Sequence, residues 1–270
     1  MSALGEKVAL GRSGLRVSRL GVGSTYGVSE SACKRAFDAG VNYFFWGSVR
    51  TPAMGAAIRD LARGHRDELV VVLPCYARWP WMVRRSVEQG LRQLGLDHAD
   101  VLLLGWHETV PSRATLAAVE ELKQQGKFRS LGISSHQRSL LRTFASDDRY
   151  DVIHIRYNAA HPGAETDVFP HMGDRPPGVA SFTNTRWGDL LRARNMPAGH
   201  APPSAVDCYR FVLSSPHVQV AICGPSTDAE MAESLGVLDR GPMDADEMDR
   251  MRRIGAHVHG IRSTMALLAG

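Results

Sequence analysis

No run of about 18 apolar residues occurs in this chain, so no ordinary membrane-spanning helix is expected. Its four cysteines, Cys33, Cys75, Cys208 and Cys223, lie far apart with no CxxC pair. That spacing suggests neither a structural zinc site nor a disulfide framework, and a reducing cytoplasm is the expected location. Lysine is scarce: Lys7, Lys34, Lys123 and Lys127 are the only ones, and arginine supplies the remaining basic charge. The net charge of +4 is spread along the chain without a basic stripe or a recognisable module, which excludes nucleic acid as an expected partner. The first 21 residues carry Glu6, Lys7, Arg12 and Arg16 and no apolar core segment, so no secretory leader is expected. His107, His136, His154 and His161 lack the HxH arrangement of strand-borne metal sites, and no metal is expected.

What is present is alternation. Short apolar runs rich in β-branched residues recur at 19–23, 41–45, 68–74, 100–105, 128–134, 151–157, 178–183 and 218–223. Between them, stretches such as ESACKRAFDAG, AMGAAIRDLARG, MVRRSVEQGLRQLG and TLAAVEELKQQG space apolar residues three and four apart and end on glycine. That is the pattern of amphipathic helices with their stop signal. Eight strand–helix units in 270 residues predict a closed α/β (β/α)8 TIM barrel occupying 1–270 as one domain. An open doubly wound sheet is the weaker choice, because GVGSTYG after the first strand lacks the G-x-G-x-x-G spacing. KVALGRSGLRVS predicts a hairpin before the barrel, and the acidic start and basic continuation of DADEMDRMRRIG predict a C-terminal helix. The longest irregular stretches, 161–177 and 186–203, follow strands that should end at the functional face.

LGRSGLRVSRLGVGS, FDAGVNYFFWGSVR, GLRQLGLDHADVLLLGWH, ELKQQGKFRSLGISSH and VLSSPHVQVAICGPSTDAEMAESL keep the order and texture of the aldo-keto reductases, and the chain resembles that family over nearly its whole length. The resemblance implies NAD(P)-dependent carbonyl reduction by an Asp, a Tyr, a Lys and a His. In this sequence those places hold Phe45, Arg50, Pro74 and Gly105. An alkoxide left by hydride transfer needs a proton from an acid of suitable pKa. Arginine stays protonated, and the other three side chains have no proton to give. Ordinary family chemistry is therefore not expected. Among family cofactor positions, Ser134 and Thr183 match, while His154 stands for a Gln and Phe182 for a Tyr whose ring stacks on nicotinamide. Ser226 and Ser234 replace the basic residue and the Asn that serve the adenosine end, with Glu230 and Glu233 nearby. The resemblance thus implies no cofactor or a weakly held NAD(P), with NADPH disfavoured.

Residues two apart on a strand share a face. Tyr76 lies two beyond Pro74 and His107 two beyond Gly105, so both are expected to point into the barrel mouth, with Arg50 at the old acid position. Tyr76, His107 and Arg50 are thereby the expected catalytic set: His107 to move a proton, Tyr76 to donate, Arg50 to hold an anion. His154, Arg156, His161 and Glu165 are expected to add to an Arg- and His-rich mouth. The functional expectation is a small-molecule enzyme acting on an anionic or polar substrate by acid–base chemistry, such as elimination, isomerisation or cyclisation. An atypical NAD(P)-dependent oxidoreductase with displaced donors and a non-catalytic ligand-binding protein are the alternatives.

Overall fold

A computed structural model describes residues 4–47 and 49–268, with side chains placed as far as Ile261. Residues 1–3, Ser48 and residues 269–270 of the expected 1–270 domain lie outside the described part. The strands are β1 (Val8–Ala9), β2 (Arg16–Val17), β3 (Leu20–Gly23), β4 (Tyr43–Phe45), β5 (Val70–Cys75), β6 (Ala99–Leu104), β7 (Phe128–Ser134), β8 (Val152–Arg156), β9 (Gly178–Phe182) and β10 (Val220–Cys223). Strands β3 to β10 pair in parallel in chain order, and β10 pairs back to β3, closing the expected (β/α)8 barrel. The antiparallel pair β1–β2 is the expected hairpin.

The helices are α1 (Glu30–Asp38), α2 (Pro52–His65), α3 (Pro80–Leu94), α4 (Arg113–Gln124), α5 (Arg138–Ala145), α6 (Ala164–Asp167), α7 (Ala205–Leu213), α8 (Asp228–Leu235) and α9 (Ala245–Leu268). Local chemistry sets many of their ends. Ser29, Ser112 and Thr227 side chains accept from the first-turn N–H groups of Ala32, Thr115 and Glu230, and Ser204 with Asp207 forms a reciprocal capping box. Pro52 and Pro80 open α2 and α3, where a missing N–H costs nothing. Gly95, at φ 61°, ends α3 in a left-handed cap. Gly64 does not stop α2, which runs on to His65 before a 3-10 turn at Arg66–Glu68. The segment 161–177 is less irregular than expected, holding the single turn α6 and a 3-10 turn, Phe169–His171.

Strand alternation builds two apolar cores. Tyr43, Val70, Val72, Val101, Leu103, Val152, Val220 and Ile222 fill the barrel interior. Their neighbours Phe44, Val71, Leu73, Leu102, Leu104 and Ile153 pack outward into the helical layer. Each such burial contributes about 1.5–3 kcal/mol. Gly21 makes room for the inward Tyr43: a Cβ there would stand 2.8 Å from the Tyr43 ring.

Leu10 and Val17 of the hairpin join the inner core and plug its lower end. Arg12 secures the plug, donating to the carbonyls of Asp147, Tyr150 and Arg175 at 2.7, 2.8 and 2.9 Å. One end of the barrel is closed, and the carboxyl ends of the strands are left as the open face. Among the described residues no helix is long and apolar enough to cross a membrane.

Candidate active site at the barrel mouth

A cavity of about 620 Å3 opens over the carboxyl ends of the barrel strands. Phe45 closes β4, Tyr76 follows β5, Ser134 and His136 stand at the end of β7, His154 rises from β8, and Phe182 and Thr183 leave β9. The cavity continues over the β10–α8 turn to Ser226, Glu230, Glu233 and Ser234. Among the described residues lining it there is no lysine or arginine, and Glu230 and Glu233 are the carboxylates.

The three residues expected to work together do not converge. Tyr76 lines the cavity, with 40% of its surface exposed. Its ring lies where a side chain at residue 105 would be, since a Cβ on Gly105 would stand 2.3 Å from Tyr76 Cε1. Alternation thus holds one residue beyond the end of β5.

For His107 it fails. Strand β6 ends at Leu104, and Trp106 turns the chain in the left-handed region at φ 50°. His107 is buried at 2% exposure and borders a separate cavity of about 670 Å3 with Arg78, Trp79 and Thr115. Burial, then the charge of Arg78, pushes its pKa down to about 4.

Arg50 is misplaced for a different reason. It sits in the loop after β4, and its guanidinium donates to the Pro74 carbonyl at 2.8 Å and the Ser86 hydroxyl at 3.2 Å. It also lies 5.5 Å from the centre of the Trp46 ring. Carbonyls and an indole between β5 and α3 capture the cation, so it does not border the mouth cavity. Arg156, His161 and Glu165 are also absent from the lining. Glu165 instead accepts from the Tyr157 hydroxyl at 2.6 Å and pairs with Arg252.

The four expected cofactor positions, Ser134, His154, Phe182 and Thr183, all border the one cavity. The Ser134 hydroxyl accepts from the Trp106 N–H at 2.8 Å and so fixes the turn that carries His107 away. Thr183, at φ 55°, has a buried hydroxyl with no hydrogen-bond partner, and so does the side-chain oxygen of buried Asn184. Two orphaned polar atoms on residues that border the same cavity as Phe182 suit a ligand with hydrogen-bonding edges. His154 is held from below by Tyr43, whose hydroxyl lies 2.7 Å from Nε2. Burial alone lowers the His154 pKa to about 3, so its imidazole is neutral at pH 7.

The adenosine end is differently furnished. One Glu230 oxygen accepts from the Ser226 backbone N–H at 2.7 Å and from its hydroxyl at 2.8 Å. Those bonds hold the Glu230 carboxyl below its usual pKa, so it is ionised. The Ser234 hydroxyl donates to the Glu230 carbonyl at 2.7 Å. The start of α8, where an extra phosphate would seek N–H groups, is already served by the protein's own carboxylate. These residues do not fit the 2′-phosphate of NADPH.

His136 was named in the sequence only as a possible metal ligand, and it belongs to this site. Its ring stands edge-on to Trp106 at 5.4 Å and to Phe182 at 5.7 Å. Burial and the charge of Arg156 lower its pKa, opposed by Glu108, which leaves it a neutral base at pH 7. Alternation applied to β7, two beyond Ser134, would have found it. Among the described residues no three His, Cys, Asp or Glu side chains are placed to hold a metal ion.

A hairpin-plugged parallel (β/α)8 barrel with a ligand-sized cavity at its mouth is the architecture of a barrel enzyme. The model of the aldo/keto reductase family matches residues 26–185, and the chain belongs to that family. It is 26% identical over 225 residues to L-galactose dehydrogenase of Arabidopsis thaliana, covering 72% of this chain and 70% of that protein. It is 25% identical over 115 residues to the NADH-specific methylglyoxal reductase of Escherichia coli (strain K12), covering 41% and 35%. The aldo-keto reductase AKR11C1 from Bacillus halodurans, in its holo form, superposes with a TM-score of 0.78 at 19% identity over 92% of this chain and 96% of that one.

Proposed function

We propose that this member of the aldo-keto reductase family is a small-molecule enzyme that transfers protons at the barrel mouth through Tyr76 and His136, without ordinary NADPH-dependent carbonyl reduction. The cavity lining carries this reading: the phenols of Tyr26, Tyr76 and Tyr209, two neutral imidazoles and two carboxylates, with no lysine or arginine among the described residues. Such a set suits an uncharged or cationic substrate. An anion would leave water for a cavity that offers it no positive partner. The anionic substrate inferred from Arg50 is given up, because that guanidinium is committed between β5 and α3. His136 is the base, its pKa below the ordinary histidine value, and Tyr76 is the donor. Elimination, isomerisation and cyclisation are within the reach of such a pair.

A second reading, an oxidoreductase with a displaced donor, is favoured by one observation: Ser134, His154, Phe182 and Thr183 border the same cavity as Tyr76. The named relatives are a dehydrogenase and reductases. A bound nicotinamide nucleotide would supply hydride, and Tyr76 would supply the proton. With Glu230 at the α8 start, NADH suits the site better than NADPH.

Calorimetric titration with NADH and NADPH separates the two readings. Absence of binding by both at millimolar concentration favours proton transfer alone, and micromolar NADH binding favours the oxidoreductase. Under both readings Tyr76→Phe should lower turnover by about 10²–10⁴, the usual worth of a general acid or base, and under the first His136→Gln should do the same. Full activity in both variants refutes the proton-transfer assignment.

A further inference from the structure

Below the mouth, the barrel interior is apolar except for one buried polar pair. Tyr43 on β4 and His154 on β8 lie on opposite sides of the barrel, four strands apart, and meet through Tyr43 Oη and His154 Nε2 at 2.7 Å. Tyr43 is fully buried among valines and leucines, and His154 is its one polar partner in the described structure. A buried phenol must place its proton on an acceptor, and here the acceptor is Nε2. A neutral imidazole that accepts at Nε2 carries its own proton on Nδ1. No described protein group accepts from Nδ1, and His154 borders the mouth cavity. Phe45, edge-on to the ring at 5.3 Å, restrains its rotation. Gly21 preserves the arrangement, since a Cβ there would collide with the Tyr43 ring.

We infer that Tyr43 is a positioning residue: it locks His154 in the Nδ1–H tautomer, so that the cavity floor presents one neutral N–H donor to an uncharged acceptor oxygen, such as that of a carbonyl or carboxamide. This rests on the mouth cavity being the ligand site, and not on which reaction occurs there. The donor is directional and carries no charge. A ligand with an sp2 oxygen gains a hydrogen bond at the floor, and one without such an atom leaves a buried N–H unpaired. Tyr43 touches no ligand and acts only through the imidazole.

The test has two arms. In protein labelled with 15N at histidine, long-range 1H–15N correlation spectra report the His154 tautomer. Wild type should show protonated Nδ1 and bare Nε2, and Tyr43→Phe should show a mixture or the reverse. Protonated Nε2 in the wild type overturns the lock. The second arm titrates benzamide, which has the acceptor oxygen, and toluene, which does not.

Tyr43→Phe should weaken benzamide roughly two- to tenfold, the worth of one neutral hydrogen bond, and leave toluene unchanged. His154→Gln restores an N–H donor that needs no tautomer lock. In that background Tyr43→Phe should no longer alter benzamide affinity. Equal weakening of both probes, or the same Tyr43 effect with Gln at residue 154, reduces Tyr43 to a packing residue and overturns the inference. If neither probe binds wild type while the tautomer is as stated, the lock stands. The cavity reading on which its role depends then fails.

Discussion

Gly105→Ala is the sharpest perturbation of the mouth, because one methyl group tests where Tyr76 lies. The new Cβ would stand 2.3, 2.6 and 3.0 Å from Cε1, Cδ1 and Cζ of the Tyr76 ring, closer than carbon atoms pack. The backbone at Gly105 cannot retreat. Its N–H donates to the Cys75 carbonyl at 2.9 Å, and its carbonyl accepts from Arg78 at 3.0 Å. Tyr76, at 40% exposure, can swing outward. Full burial of a large apolar side chain is worth about 1.5–3 kcal/mol. Exposing the covered part of this ring should therefore cost about 1–2 kcal/mol, a fall in Tm of about 2–8 °C for a chain of this size.

Urea denaturation of a double-mutant cycle measures it. In a Tyr76→Ala background, Gly105→Ala should cost less than about 0.5 kcal/mol, because nothing remains to displace. If Gly105→Ala destabilises both backgrounds equally, the ring does not occupy that space. The same substitution removes the phenol from the cavity, so turnover should fall with it, as in Tyr76→Phe.

NADPH should bind weakly or not at all; missing one charge-assisted contact costs about 1.5–3 kcal/mol, or one to two decades in affinity, and a submicromolar Kd at physiological salt contradicts this. Arg50→Ala should destabilise the fold by about 1–3 kcal/mol by unpairing the Pro74 and Ser86 groups, while leaving cavity-ligand affinity unchanged; a selective loss of binding would return Arg50 to the site. Stability should fall as pH drops from about 6.5 towards 4, because burial depresses His107 and His161 to about 4 and His154 to about 3 in the folded state. The unfolded chain then binds protons that the fold excludes, at about 1.4 kcal/mol per pH unit for each group. Stability curves against pH should be shallower for His154→Gln than for wild type over that interval, and parallel curves would show that the imidazole is not held neutral.

The order of strands and helices, the hairpin and the C-terminal helix are legible in the sequence because they follow from local periodicity, caps and the closure of eight parallel units. Inward-facing residues within strands are legible for the same reason: Phe45, Ser134, His154 and Phe182 keep to alternation and reach one cavity. Just beyond a strand the inference holds only while the backbone stays extended. It carries Tyr76 into the mouth, and carried from Ser134 it would have given His136. It fails at His107 because Trp106 turns into the left-handed region, held there by the Ser134 hydroxyl from a neighbouring strand. Arg50 is lost to the site because Pro74, Ser86 and Trp46, distant in sequence, offer its cation a better place. The Tyr43–His154 pair joins residues 111 apart across the barrel. Periodicity describes a residue against its own axis, so it can say which way a side chain leaves a strand. What that side chain meets depends on the curvature of the barrel and the loops that cross its mouth, and only the closed tertiary structure decides that.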